Sequence, residues 1–149
     1  MERRGPAVHE SDVAAFEGRL GHRLPDDYRR FLLEVNGGRP DDTSCQYKFG
    51  VINQFFSLND PHTGRDLTAA NKRPAIPSRQ LLYVGVDGMG TRFLVALAGD
   101  QRGQVWIQDM ANPRPDDANP RVLWHDRRDL EKLADSFEEL MRTLGPLQQ

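Results

Sequence analysis

The sequence predicts an α+β protein: a mostly antiparallel sheet of about 4–6 strands flanked by helices at its N-terminal and C-terminal ends. Three observations predict it. Apolar residues recur at helical spacing from Val13 to Val35 and again from Leu130 to Leu144. Between Tyr47 and Asp109 the pattern changes to strand-like alternation rich in aromatic and β-branched residues. Glycine-bearing turns separate those strands, which argues for hairpins and therefore antiparallel neighbours. Helical stripes at the ends and two-period strands between them pack as helices on a sheet.

Each element has a local reason. Ser11 is a good N-cap, because its hydroxyl can accept from N–H groups without an intrahelical partner. Val13, Phe16 and Leu20 follow on one face, and Gly21 ends that helix in the left-handed conformation. Pro25 suits the first position of a second helix, where its missing N–H costs nothing. Asp26 and Asp27 favour the positive end of the helix dipole. Tyr28, Phe31, Leu32 and Val35 form its buried stripe, and Asn36-Gly37-Gly38 stops it. Tyr47 to Leu58 reads as one or two short strands, broken at Gly50 and Asn53. Asn59 to Gly64 is a turn cluster, and Asp66 to Asn71 a short helix. Leu81–Val86, Thr91–Leu97 and Gln104–Asp109 read as three strands of a meander. Met110 to Pro120 reads as a loop, and Arg121 to His125 as a last short strand. Leu130, Leu133, Ala134, Phe137, Leu140, Met141 and Leu144 trace one apolar stripe over four turns of a closing helix, which Gly145-Pro146 ends.

Length and composition bound the function. A chain of 149 residues and 16.9 kDa suits one domain, with a core spanning about residues 11–145; such a domain buries roughly 68–70% of its unfolded surface. The net charge of −2 gives no general attraction to nucleic acid or to an anionic membrane. Cys45 is the only cysteine, so no internal disulfide forms, which suits a reducing compartment. The N-terminal residues carry no apolar leader segment, and no stretch approaches the ~20 apolar residues of a membrane span. The expected location is the cytoplasm.

The search for chemistry returns little. His9, His22, His62 and His125 are isolated, and a lone cysteine makes no C-x-x-C pair, so a metal site has no local support. The neighbours of Cys45, Asp41-Asp42-Thr43-Ser44, are acidic and would raise a thiol pKa, which opposes nucleophilic activation. Asp87-Gly88-Met89-Gly90 superficially resembles a phosphate loop. It lacks the lysine and hydroxyl of that motif and joins two strands, so it reads as a hairpin turn. The adjacent pairs Asp26-Asp27, Asp41-Asp42 and Asp116-Asp117 do not define acid–base geometry. No catalytic residue, metal or cofactor is expected.

Phe16-Glu17, Leu20-Gly21, Leu24-Pro25, Asp27-Tyr28, Phe31-Leu32 and Asn36-Gly37-Gly38 resemble the opening signature of the SUKH superfamily. Ile76-Pro77, Tyr83-Val84-Gly85 with Asp87-Gly88, and Gly103 to Trp106 are similar to its central strands. Asp135-Ser136-Phe137 with Leu140 resembles its final helix. The resemblance covers nearly the whole chain and is loosest from Arg39 to Arg73. It implies a protein that binds other proteins, since the superfamily includes a fungal regulator of cell-wall synthesis and many bacterial immunity proteins. The implied partner is a cognate toxin, often a nuclease or a nucleic-acid deaminase, blocked by stoichiometric occlusion. The implied protein is a monomer or weak dimer with no direct nucleic-acid or membrane ligand. The alternative is a non-catalytic regulatory scaffold with an endogenous partner; a small enzyme comes third. Titration separates them, because an inhibitor acts near equimolar amounts, a scaffold does not neutralise, and an enzyme acts far below equimolar.

Candidate partner-binding residues lie outside the core pattern. Asp41, Asp42, Asp60, Asp116 and Asp117 occupy loops, where recognition is commonly carried on a rigid scaffold. An acidic surface would speed encounter with a basic partner. The plain alternative is that loop aspartates solvate their own turns. Trp106 and Trp124 have the same two readings, as interface anchors or as partly buried strand residues. The signature residues Phe16, Glu17, Leu24, Pro25, Tyr28, Asn36 and Gly37 are assigned to structure. Glu17 is placed to reach backbone donors near the second helix.

Overall fold

The computed structural model describes residues 1–72, 80–109 and 129–147. Helix α1 (Glu10–Leu20) and helix α2 (Asp26–Glu34) open the chain. Strands β1 (Gln46–Tyr47) and β2 (Gly50–Phe55), a one-turn helix α3 (Leu67–Ala70), and strands β3 (Leu81–Asp87), β4 (Thr91–Ala96) and β5 (Val105–Asp109) follow. Strand β6 (Leu130–Ala134) and helix α4 (Phe137–Thr143) close it. The six strands form one antiparallel sheet in sequence order, β1 to β6. The expected meander is therefore present, and it extends at both ends.

The N-terminal stretch folds as its sequence dictates, with shifts at the helix starts. Helix α1 begins at Glu10, with His9 before it. The cap is made by Asp12, whose carboxylate accepts from the His9 N–H at 2.8 Å, so Ser11 lies inside the helix and is not the cap. An acid at the third helical position reaches back to the flanking N–H, whereas the Ser11 hydroxyl, two residues past the flanking position, is not placed to act as the cap. Gly21 stops α1 with φ 77° and donates its N–H to the Glu17 carbonyl at 2.9 Å. Pro25 stands just before α2 and not at its first position. Asn36 and Gly37 take φ 55° and 80° past its end.

The closing helix is the main departure from the sequence reading. Leu130 to Ala134 is not helical. It pairs with β5, setting Leu130 opposite Gln108, Glu131 opposite Ile107, Lys132 opposite Trp106 and Ala134 opposite Val105. Residues four apart share a face in a helix and also in a strand, so Leu130 and Ala134, both buried, satisfy either pattern. Pairing with the edge of β5 decides between them. The helix starts only at Phe137, where the Ser136 hydroxyl accepts from the Glu139 N–H at 3.0 Å, a cap of the ordinary kind. The loop expected from Met110 to Pro120 and the strand expected from Arg121 to His125 lie outside the described residues, as does Ile76-Pro77.

The core fills the space between α2, α4 and one face of the sheet. Phe31, Phe55 and Phe137 meet in mutual edge contacts at 4.9–5.7 Å between ring centroids. Tyr28 joins Phe137 at 5.0 Å, and Tyr47 joins Phe93 at 4.9 Å. Each such buried ring contributes about 1.5–3 kcal/mol through area removed from water. Asp27, read from the sequence as a dipole partner, also accepts from the Glu138 N–H at 2.9 Å. It thereby ties the start of α2 to the first turn of α4. Among the described residues no helix is long and apolar enough to cross a membrane.

Candidate partner-binding surface

The signature residues are consumed by the fold. The Glu17 carboxylate accepts from the Leu24 N–H at 2.7 Å and from Arg29 Nε at 3.2 Å, as the sequence reading anticipated for backbone donors at this junction. Arg29 also pairs with Glu10. Its hydrogen bond pulls the Glu10 carboxyl below the usual range and, from the other side, raises the guanidinium. Phe16, Leu24, Pro25 and Tyr28 are buried. The Tyr28 hydroxyl has no hydrogen-bond partner among the described residues, and burial raises its pKa well above the ordinary phenol value.

Asn36 does more than end a helix. Its side-chain amide donates to the Pro6 carbonyl at 2.7 Å and the Leu58 carbonyl at 2.9 Å, and its oxygen accepts from the Leu58 N–H at 2.8 Å. It is buried, so this one amide clamps the N-terminal segment, the end of α2 and the chain after β2. Gly37 lies so close to that chain that a Cβ there would meet the Phe56 carbonyl oxygen at 2.5 Å. Nothing local in the sequence signals the clamp, because its partners lie 30 and 22 residues away.

The loop acids fall into different situations. Asp41 and Asp42 sit just before β1 at one edge of the sheet. Asp41 accepts from the hydroxyl and N–H of Thr43 and lies 3.3 Å from the Met1 amine. Thr43 first, and the amine after it, hold its carboxyl below the usual range. Asp42 is exposed, and its carbonyl accepts from the Leu147 N–H at 2.8 Å. Asp60 is turned into its own loop: it accepts from the His62 N–H at 2.9 Å and faces Arg65 at 4.0 Å, leaving its side chain 9% exposed. Trp106 is half-buried on β5, with its indole N–H 3.1 Å from Gln104 Oε1, and it packs partly on the core. The structure thus puts Asp41 and Asp42 together and sets Trp106 four strands away from β1. Asp116, Asp117 and Trp124 lie outside the described residues.

The turn Asp87 to Gly90 is a hairpin between β3 and β4. Asp87 is buried and accepts from Tyr47 Oη at 2.7 Å, and from the N–H groups of Met89 and Thr91 at 2.8 Å each. Its carboxylate pins the turn and is not presented to a ligand. Cys45 is buried. Among the described residues no group of three His, Cys, Asp or Glu side chains is placed to hold a metal ion.

Two N-terminal helices and a capped C-terminal helix lie on an antiparallel meander, with Glu17 and Asn36 stitching the N-terminal junction. The model of the SMI1 / KNR4 family (SUKH-1) matches residues 7–143. The chain belongs to this family. The match runs from the segment before α1 to the last residue of α4, so it takes in every element of this SUKH-1 fold. No curated protein matches the chain. Membership of SUKH-1 is consistent with protein binding in general, and the structural roles of Glu17, Asn36 and Gly37 explain the signature as architecture.

Proposed function

We propose that this SUKH-1 chain is a cytoplasmic immunity protein, non-catalytic, that binds a cognate bacterial toxin and neutralises it by stoichiometric occlusion. The observation that carries the reading is the family match over residues 7–143. The toxin class proposed is a nuclease or a nucleic-acid deaminase. Such an enzyme presents basic groups that hold phosphate, and Asp41 and Asp42 supply the complementary charge at one edge of the sheet. Asp116 and Asp117, the remaining loop acids of the sequence reading, are proposed for the same surface; Asp60, bonded within its own loop, and Trp106, four strands from β1, are left out of it. Complementary charge raises the encounter rate and fixes register more than it adds affinity.

The test is co-expression with the C-terminal domain of any large exported protein encoded beside this gene, followed by titration of the purified pair. Neutralisation that is complete near one equivalent supports the reading. A domain that stays toxic at excess, or neutralisation at a small fraction of an equivalent, removes occlusion in favour of a regulatory scaffold or an enzyme respectively.

A further inference from the structure

Large apolar side chains exposed to solvent are concentrated at one end of the sheet. Of the four among the described residues, three lie there: Phe49 (51% exposed), Val51 (37%) and Met89 (82%). Phe49 is at the tip of the β1–β2 hairpin, whose strands pair Tyr47 with Gly50. Met89 is at the tip of the β3–β4 hairpin. The two hairpins lie side by side, since the Gly88 N–H donates to the Val51 carbonyl at 3.2 Å and Ile52 pairs with Asp87.

These tips are held in place from beneath. The buried Tyr47–Asp87 hydrogen bond joins one hairpin to the other, and the same carboxylate accepts from Met89 and Thr91. The Tyr47 ring also supports Phe49 at 6.2 Å between centroids. A hairpin backbone fixed in this way, with the Phe49 ring supported by Tyr47, loses little freedom on binding, which lowers the ordering cost of an interface.

The charge around the tips selects the occupant. Lys48 Nζ lies 4.9 Å from the centre of the Phe49 ring. Arg92 stands opposite Val86 on β4, one residue from the inward-facing Asp87, and therefore on the outer face with Val51. Its guanidinium rests 5.2 Å from the centre of the Tyr83 ring. Neither cation has a carboxylate partner among the described residues, and the one acid described in the turn, Asp87, is buried and already bonded. A symmetric contact between two copies would set these cations against each other. Two cations also fall short of the clusters of about four to eight that hold a chain to an anionic membrane.

We infer that Phe49, Val51 and Met89 form the apolar centre of a docking site for a protein partner, whose contacting element carries apolar side chains bordered by Asp or Glu. Lys48 and Arg92 meet those acids at the rim. The site is separate from the Asp41–Asp42 loop, and its assignment to the toxin rests on the function proposed above.

The experiment is photo-crosslinking of the full chain, in the cell that carries the gene, from p-benzoylphenylalanine at position 49, 89 or 19. Position 19, an exposed arginine on α1, is the control. Thermal melting first checks that each chain is folded, and the highly exposed position 89 keeps the test open if substitution at 49 disturbs the hairpin. The expected result is adducts from 49 and 89, but not 19, with one polypeptide whose linked peptide is apolar and flanked by acids. Lys48→Glu should lower the yield about tenfold, because like charge at a rim slows encounter and suppresses pairing. The site is overturned by yields no higher than at 19, by adducts with lipid, nucleic acid or a second copy, or by a linked peptide without acids. Equimolar neutralisation of the toxin without these adducts overturns the site and spares the immunity reading. Adducts of the expected kind with a polypeptide that is no toxin do the reverse.

Discussion

The helix junction around Glu17, Asn36 and Gly37 and the paired hairpin tips around Phe49 and Met89 treat polar and apolar groups in opposite ways. At the junction most polar groups are engaged by the fold: the half-buried Glu17 accepts from two donors and the buried Asn36 makes three hydrogen bonds. At the tips the carboxylate of Asp87 is hidden beneath, while the apolar side chains face water. The first arrangement lowers the free energy of the folded chain by itself. The second leaves apolar area whose burial requires another molecule. Residues that carry the family signature govern folding, and residues the fold does not need are available for recognition.

Substitutions break or sharpen that contrast. Asn36→Ala should have the largest effect, about 3 kcal/mol of lost stability in urea denaturation, because it strands buried Leu58 and Pro6 groups and puts alanine at positive φ. A loss under about 0.5 kcal/mol would remove the clamp from the account. Gly37→Val should cost about 2 kcal/mol or more, since a β-branched residue is strained at φ 80° and its Cβ would collide with the Phe56 carbonyl. An unchanged melting temperature would refute the left-handed stop.

Tyr28→Phe tests the junction from the other direction. Deleting a buried hydroxyl that has no partner among the described residues should leave stability unchanged or raise it by about 1 kcal/mol. The pH dependence has a definite sign. The folded-state pKa of Tyr28 is raised by burial, so its contribution is intact below the unfolded phenol value of roughly 10. That contribution is lost as pH climbs above it, because only the unfolded chain ionises there. The phenylalanine variant should therefore show a flatter decline of stability above pH ~10; an identical decline would place the ionising group elsewhere. The smallest effect is expected at the tips. Phe49→Ser with Met89→Ser should change stability by less than about 0.5 kcal/mol. A large loss in calorimetry would show that the tips belong to the core, and the contrast would collapse.

Much of the fold is legible locally. Gly21, Asn36 and Gly37 announce helix ends through backbone freedom. Asp66 announces α3 by capping the Ala69 N–H at 3.0 Å. The turn Asp87 to Gly90 separates two alternating strands. The misreading at Leu130–Ala134 has a definite cause: a spacing of four satisfies strand and helix alike. The local signal for the true start is Ser136 with Glu139 three residues later, a capping pattern that marks the helix start inside the apolar stripe. The loop acids were legible as loop residues, but Asp60 proved to be engaged by His62 and Arg65, and no sequence pattern distinguishes it from Asp42. The exposure of Phe49 and Met89 has no local signal, because an aromatic in a strand-like run and a methionine in a turn read as ordinary.

The sequence by itself determined the family, the α+β class, the ends of the first two helices and the three-strand heart of the meander. These depend on periodicity, glycine and capping, which act within a few residues. Only the tertiary structure decided that Leu130–Ala134 joins the sheet, that Asn36 clamps three segments, that Asp27 caps a helix 111 residues away, and that two hairpin tips meet. Each of those is a contact between distant parts of the chain. Its free energy comes from pairing or burial that exists only once the sheet has formed.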